Sequence, residues 1–167
     1  MPNFRPARDV HSARILNSAP AFILTQQRRR RGARWNGIRY QRLLDGYLAE
    51  RYGDMFVPGP WIQFTDGPTG ERRFCQPDGL LIEIARGRIT VLEAKYSHTE
   101  LAYYQLFDLY IPVMKNLFPA SLWSFAGIEI CARYDPAIPL PSRAVMRKNL
   151  IDALPREFNV HIWRPNS

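Results

Sequence analysis

Apolar and polar positions along the chain fall into short blocks, and the places where their period changes mark the elements. Residues 1–36 mix Pro, Arg, Asn and Ser around one short apolar stretch at 19–25 and hold no sustained period. They read as a basic arm that is extended, partly helical or in part disordered, of a kind that a partner can order. From 37 to 52 the pattern turns helical: Ile38, Leu43 or Leu44, Tyr47, Leu48 and Arg51 recur near helical spacing, and Gly53-Asp54 closes the run. Two β-prone segments follow at 61–64 and 72–75. The run Asp66-Gly67-Pro68-Thr69-Gly70 between them is made of turn formers and predicts a hairpin. Near-continuous apolar runs at 80–85 and 89–95, folded about Arg86-Gly87-Arg88, predict two strands buried in the middle of a sheet. Thr99 is placed to cap a helix over 100–117, which Pro112 should kink or interrupt. A strand at 125–134, a loop through Pro136, Pro139 and Pro141, a helix at 143–154 and a strand at 159–163 complete the chain. This order predicts one α/β domain over 37–167, built on a mixed sheet.

Composition narrows the class. A length of 167 residues with 46% hydrophobic content suits one domain with a real core, not a disordered chain. No apolar run approaches the ~20 residues that span a bilayer. The opening MPNFRPARDV lacks a signal-peptide core, so a cytoplasmic, membrane-free setting is expected. Cys75 and Cys131 stand apart without CxxC spacing, and His11, His98 and His161 are scattered. A disulfide framework or structural zinc site is therefore disfavoured, and two partly buried free thiols are expected.

The net charge of +8 is unevenly placed. Residues 1–42 hold ten arginines against Asp9 alone, an excess of +9, so the remainder of the chain is nearly balanced. Arg28, Arg29, Arg30, Arg31 and Arg34 form its densest part. Arginine grips phosphate through a planar fork, so nucleic acid is the expected partner of the arm; a solvated tail or a lipid-facing basic patch is the alternative.

The chemistry-bearing segment is Pro77-Asp78, then 14 residues, then Glu93-Ala94-Lys95. Alternation along a strand puts Glu93 and Lys95 on one face. Counting across the turn at Gly87 pairs Leu80 or Leu81 with Lys95 or Ala94, which brings Asp78 to the same sheet end. Two carboxylates and an ammonium converge there. Hard oxygen ligands of this kind suit Mg²⁺, and a lysine beside them can orient an attacking water. Plainer readings stay open: Asp78 as a turn residue on its own backbone, Glu93 and Lys95 as an exposed ion pair on an edge strand. Glu83 is expected to pair with Arg86 or Arg88, and His98 to cap, lie on the surface or touch phosphate.

Pro77-Asp78 and Glu93-Ala94-Lys95 closely resemble the motif of the PD-(D/E)XK nuclease superfamily, over roughly residues 37–117. The resemblance implies a restriction-endonuclease-like α/β fold, a mixed central sheet flanked by helices. It implies a Mg²⁺- or Mn²⁺-dependent nuclease acting on phosphodiesters, DNA in the first place. Asp78, Glu93 and the Ala94 carbonyl would hold the metal, and Lys95 would be the catalytic lysine. Gln105 resembles the site glutamine of RecB-like branches, in which a tyrosine follows four residues later; here Tyr110 follows by five. Many members carry a first-helix glutamate, where this chain has Gln41, with Glu50 much later. The short sheet and the spacing of the motif also resemble the endonuclease subunit of heteromeric transposases. A non-catalytic nucleic-acid-binding or assembly subunit with the same fold is the alternative. A two-strand cut would call for a homodimer or a partner protein subunit.

Overall fold

The apolar strands pair into a six-stranded sheet that holds the hairpin carrying the motif between an edge strand and the parallel strands. The computed structural model describes residues 4–22 and 34–165. The sheet order is β2-β5-β6-β7-β9-β8, with β2 at Phe56–Pro58, β5 at Gly79–Glu83, β6 at Arg88–Ser97, β7 at Ser124–Arg133, β8 at Ala144–Met146 and β9 at Phe158–Ile162. Strands β2, β5 and β6 are antiparallel, whereas β6, β7, β9 and β8 run parallel. The architecture is therefore α/β with a mixed sheet.

A three-stranded antiparallel sheet, β1-β3-β4, packs beside it, formed by Val10–Leu16, Trp61–Asp66 and Glu71–Cys75. The hairpin over 61–75 was legible from its turn formers, whereas β1 was not. Its burial alternates poorly, and it is held instead by its neighbours. The Asp66 carboxylate accepts from the main-chain N–H groups of Arg8 and Asp9, at 3.1 and 2.8 Å, and pairs with Arg73. Arg73 also donates to the Pro6 carbonyl at 2.8 Å. The expected arm thus divides. Residues 4–16 belong to the folded body, while Arg28, Arg29, Arg30 and Arg31 lie outside the described residues; Arg34 opens the first helix.

Helix α1 runs Arg34–Tyr52 and covers one sheet face with Tyr40, Leu44 and Leu48 against Leu81, Leu92, Ile128 and Ile130. Ile38 and Leu43, also apolar, stay exposed. The opposite face packs Ile89, Val91 and Phe158 against Leu106, Val113 and Met114 and against Ile62 and Phe64 of the small sheet. Those helical residues come from a continuous segment in three parts: α2 at Glu100–Tyr104, a π-helical turn at Gln105–Tyr110, and α3 at Ile111–Leu117. Thr99 caps it, its hydroxyl accepting from Leu101 N–H at 3.3 Å. Pro112 is interior to this segment and offers no N–H to the turn before it, where the chain is π-helical; the Asp108 carbonyl accepts instead from Ala7 N–H at 2.7 Å.

Two expectations are corrected. Residues 143–154 do not form a helix: 144–146 make β8, and only Leu150–Asp152 forms a short 3₁₀ turn. Arg147 pins this stretch to β9, its Nε donating to Asn159 Oδ1 at 2.7 Å, a tertiary contact that overrides local propensity. The register of β5 and β6 also differs. Ile84–Arg86 makes a 3₁₀ turn closed by Gly87 at φ 55°, which leaves Glu83 opposite Arg88 and Leu80 opposite Val91. A side chain at Gly87 would be strained there, its Cβ 2.5 Å from the Leu122 carbonyl oxygen. No helix among the described residues is long and apolar enough to cross a membrane.

Candidate active site

Because Gly79 pairs with Leu92, β5 ends where β6 still has five residues to run, and a notch opens beside residues 93–97. Asp78 stands at its mouth. Its N–H donates to the Leu92 carbonyl at 3.2 Å, and its carbonyl accepts from Gly59 N–H at 3.1 Å, so the main chain is held from both sides. The revised register therefore sets Asp78 level with Glu93. Asp78 Oδ2 accepts from Ala94 N–H at 2.7 Å, and Oδ1 accepts from Gln41 Nε2 at 2.9 Å. The side chain is neither a self-bonded turn residue nor free. N–H and C=O of one strand residue leave the strand on the same side, so the Ala94 carbonyl also points toward the notch.

Glu93 and Lys95 share the opposite pleat face and pair with each other. Their setting excludes an exposed surface pair: Glu93 is 2% exposed, and the Lys95 side chain 23%. Glu93 Oε2 is buried without a hydrogen-bond partner. Burial, then the nearby Asp78 charge, pushes the Glu93 carboxyl up to about 8, against the pull of Lys95 and the Tyr110 hydroxyl. Asp78 is raised as well, first by burial, with the Ala94 N–H, Lys95 and Gln41 opposing.

The π turn explains the Gln105 spacing. Residues five apart are neighbours on a π turn, whereas four apart are neighbours on an α-helix. Gln105 Nε2 accordingly donates to Tyr110 Oη at 3.2 Å, and Tyr110 lies within electrostatic reach of Glu93. The extra residue in the Gln-to-Tyr interval is absorbed, and Gln105 joins the site through Tyr110. Gln105 Oε1 is buried and unpartnered. Burial, then Glu93 and Asp78, raises the Tyr110 hydroxyl well above its ordinary range, so it stays a donor.

Two acidic residues escaped the sequence reading. Asp45 lies one helical turn beyond Gln41 on α1, on the same face. Burial and then Asp78 push its carboxyl up to about 6, which places it within electrostatic reach of the notch. The i,i+4 relation to Gln41 was the available signal. Glu129 is opposite Glu93 in the β6 and β7 register and is 0% exposed. Burial pushes it up to about 8, with Thr99 N–H and Lys95 opposing and Glu93 reinforcing. A lone carboxylate between Ile128 and Ile130 in an apolar strand was its signal. Its partner is His98, Nδ1 to Oε2 at 2.6 Å, so His98 is neither a cap nor a surface residue. Glu83 pairs with Arg86 as expected, at 3.1 Å. Cys75 and Cys131 are free and buried.

Among the described residues no three His, Cys, Asp or Glu side chains converge as a ready-made cation cage. The donor set still fits Mg²⁺, which is commonly held by one or two carboxylates with water and substrate phosphate completing its shell. Asp78, Glu93 with its orphaned oxygen, and the Ala94 carbonyl supply that minimum. Comparison with known protein families, with curated proteins and with solved structures found no match for this chain.

Proposed function

We propose that the chain is a metal-dependent nuclease of restriction-endonuclease-like fold that hydrolyses phosphodiester bonds, with DNA as substrate. One observation carries the reading. Asp78 stands level with Glu93, which pairs with Lys95, where β6 outruns β5, and Glu93 keeps a buried oxygen with no hydrogen-bond partner. An unpaired buried carboxylate oxygen is costly, so a site that retains one is arranged for a ligand that is still to come.

Asp78, Glu93 and the Ala94 carbonyl would hold Mg²⁺ or Mn²⁺. The bound cation supplies positive charge that offsets the phosphate oxygens and eases loss of a proton from the attacking water. Lys95 orients that water and stabilises the negative charge growing on the phosphate. Tyr110, held by Gln105, lies within electrostatic reach of Glu93, and Gln41 fixes Asp78 against the Ala94 main chain. Asp45 adds a third carboxylate nearby, from α1, in the region where the expected glutamate is replaced by Gln41. Arg28, Arg29, Arg30, Arg31 and Arg34 would give sequence-independent grip on the phosphate backbone.

A second reading is supported by the bonding of Asp78, both of whose oxygens are already satisfied by Gln41 and Ala94. That arrangement suits a nucleic-acid-binding or assembly subunit that keeps the fold without cutting. Cleavage assays on DNA and RNA with Mg²⁺ or Mn²⁺ separate the two. Metal-dependent cutting abolished by Asp78→Asn, Glu93→Gln and Lys95→Ala, with nucleic-acid retention preserved, supports the nuclease. Binding without cutting under every metal condition supports the subunit.

A further inference from the structure

The mechanism above leaves the chain ahead of β1 unused. Residues 4–9 belong to no helix or strand, yet every one of them is tied down. The Phe4 ring lies 6.2 Å from that of Tyr104, and the Arg5 guanidinium pairs with Glu71 at 2.6 Å. The Arg5 and Pro6 carbonyls both accept from Arg73, which also pairs with Asp66, and Asp66 accepts from the Arg8 and Asp9 N–H groups. Between these anchors Ala7 is buried, and its N–H turns away from the small sheet to donate to the Asp108 carbonyl at 2.7 Å. Just beyond, the Val10 carbonyl accepts from Asn116 Nδ2 at 3.1 Å. The segment is a strap, fastened to the small sheet on one side and to the helical segment over 100–117 on the other.

Asp108 lies in the π turn at Gln105–Tyr110. On an α-helix its carbonyl would accept from the N–H of residue 112, and residue 112 is a proline. The turn closes with Ile111 N–H donating to the Leu106 carbonyl, and the next π-type bond would again need the N–H that Pro112 lacks. The helical ladder is interrupted at this point, and a donor arrives from outside it. We propose that Ala7 is a positioning residue for the candidate site: its main-chain N–H stands in for the one missing at Pro112 and holds residues 105–110 in the π form that sets Gln105 beside Tyr110. Were the turn to close as α, residues five apart would stand about 140° apart around the axis, and Tyr110 would swing away from Gln105. Tyr110 lies within electrostatic reach of Glu93, so the strap bears on the notch through this pair. The inference rests on the nuclease reading only for what the notch does; the positioning belongs to the metal-free chain.

The test is NMR on the full chain without metal. In the parent protein the Ala7 amide should exchange with solvent in step with the Tyr110 and Ile111 amides, one opening releasing all three. Ala7→Pro removes the N–H, and the contact between the Gln105 side-chain amide and the Tyr110 ring should be lost; Ala7→Gly, which keeps the N–H, should retain it. Adding Pro112→Ala to Ala7→Pro gives Asp108 a donor from within the helix. Thermal stability should then recover while the contact of Gln105 with Tyr110 stays lost, because the turn now closes as α. A strap that only stabilised the fold would give back both. Recovery of the contact in the double variant, a contact undisturbed by Ala7→Pro or lost equally in Ala7→Gly, or an Ala7 amide that exchanges faster than those of the π turn overturns the proposal. The exchange measurement needs no substitution, so it decides the matter even where Ala7→Pro fails to fold. Because no metal or cleavage enters these measurements, failure of the nuclease reading leaves their outcome interpretable.

Discussion

Glu93→Gln should make the metal-free protein more stable while destroying the site. The carboxyl is 2% exposed, has one oxygen with no partner, and is pushed by burial from an ordinary 4.5 up to about 8. The folded state therefore holds a proton that the unfolded chain releases above pH 4.5. With the folded pKa raised, stability is full below the unfolded value and falls as pH rises toward the folded one. Holding that proton at pH 7 costs about 3 kcal/mol, a figure that already includes the pull of Lys95. Glutamine has the shape of the neutral carboxyl and still offers Lys95 an oxygen, so it removes the cost and keeps the contact. Urea unfolding in the presence of a chelator should show the two proteins within about 1 kcal/mol near pH 5 and the variant ahead by about 4 kcal/mol near pH 8. Adding Mn²⁺ should close most of that gap. Native-state binding at a hundredfold excess over Kd stabilises by about 2.7 kcal/mol, and only the parent protein should gain it. A variant less stable than the parent at every pH, or a gap that does not widen as pH rises, would refute this account of Glu93.

Three further outcomes follow from the same geometry. Gln41→Ala should lower stability by about 1 kcal/mol through loss of its bond to Asp78, and Mn²⁺ affinity measured by calorimetry should change with it. Gly79→Ala would set a Cβ 2.7 Å from Phe56 Cε2 and 3.3 Å from Leu92 Cδ1; thermal unfolding should report a loss of about 1–3 kcal/mol, with the hairpin that carries Asp78 disturbed. Burial alone would raise the Asp66 carboxyl, but the Asp9 N–H, Arg73 and the Arg8 N–H hold it below its usual range, so its contribution is present at neutral pH and lost on acidification through that lowered value. Asp66→Ala should cost about 3 kcal/mol or more by leaving Arg73 buried without its partner, and limited proteolysis should then cut within residues 4–16.

Much of the frame was legible where pattern and turn chemistry agreed. The hairpin over 61–75, the apolar strands on either side of Gly87, the helix ending at Tyr52 and the capping Thr99 all announce themselves locally. The misses share a cause, which is that tertiary contacts decided them. Strand β1 has no apolar alternation and is positioned by Asp66, Arg73 and the neighbouring strand. The helix expected at 143–154 gives way to β8 because Arg147 and Asn159 tie the chain to β9. The 3₁₀ turn before Gly87 moves the register of β5 against β6, yet Asp78 still lies at the same end of the sheet as Glu93, since the shift brings the two level.

At the site, Asp78, Ala94, Glu93 and Lys95 could be read from motif and strand alternation. Gln105 was read without its route to the site, because a π turn cannot be seen in a sequence scanned for a 3.6 period. Asp45 and Glu129 were hidden for a different reason: their meaning depends on what α1 and β7 face. Each becomes conspicuous only when its neighbours are known to be Asp78 and Glu93.

The most direct test of the central claim is a crystal structure of the protein grown with Mn²⁺, examined for anomalous scattering. One strong peak is expected between the carboxylates of Asp78 and Glu93, within ligand distance of the Ala94 carbonyl and absent from crystals of Glu93→Gln. A fully occupied Mn²⁺ site elsewhere with that notch empty, or no peak at saturating Mn²⁺, would contradict it.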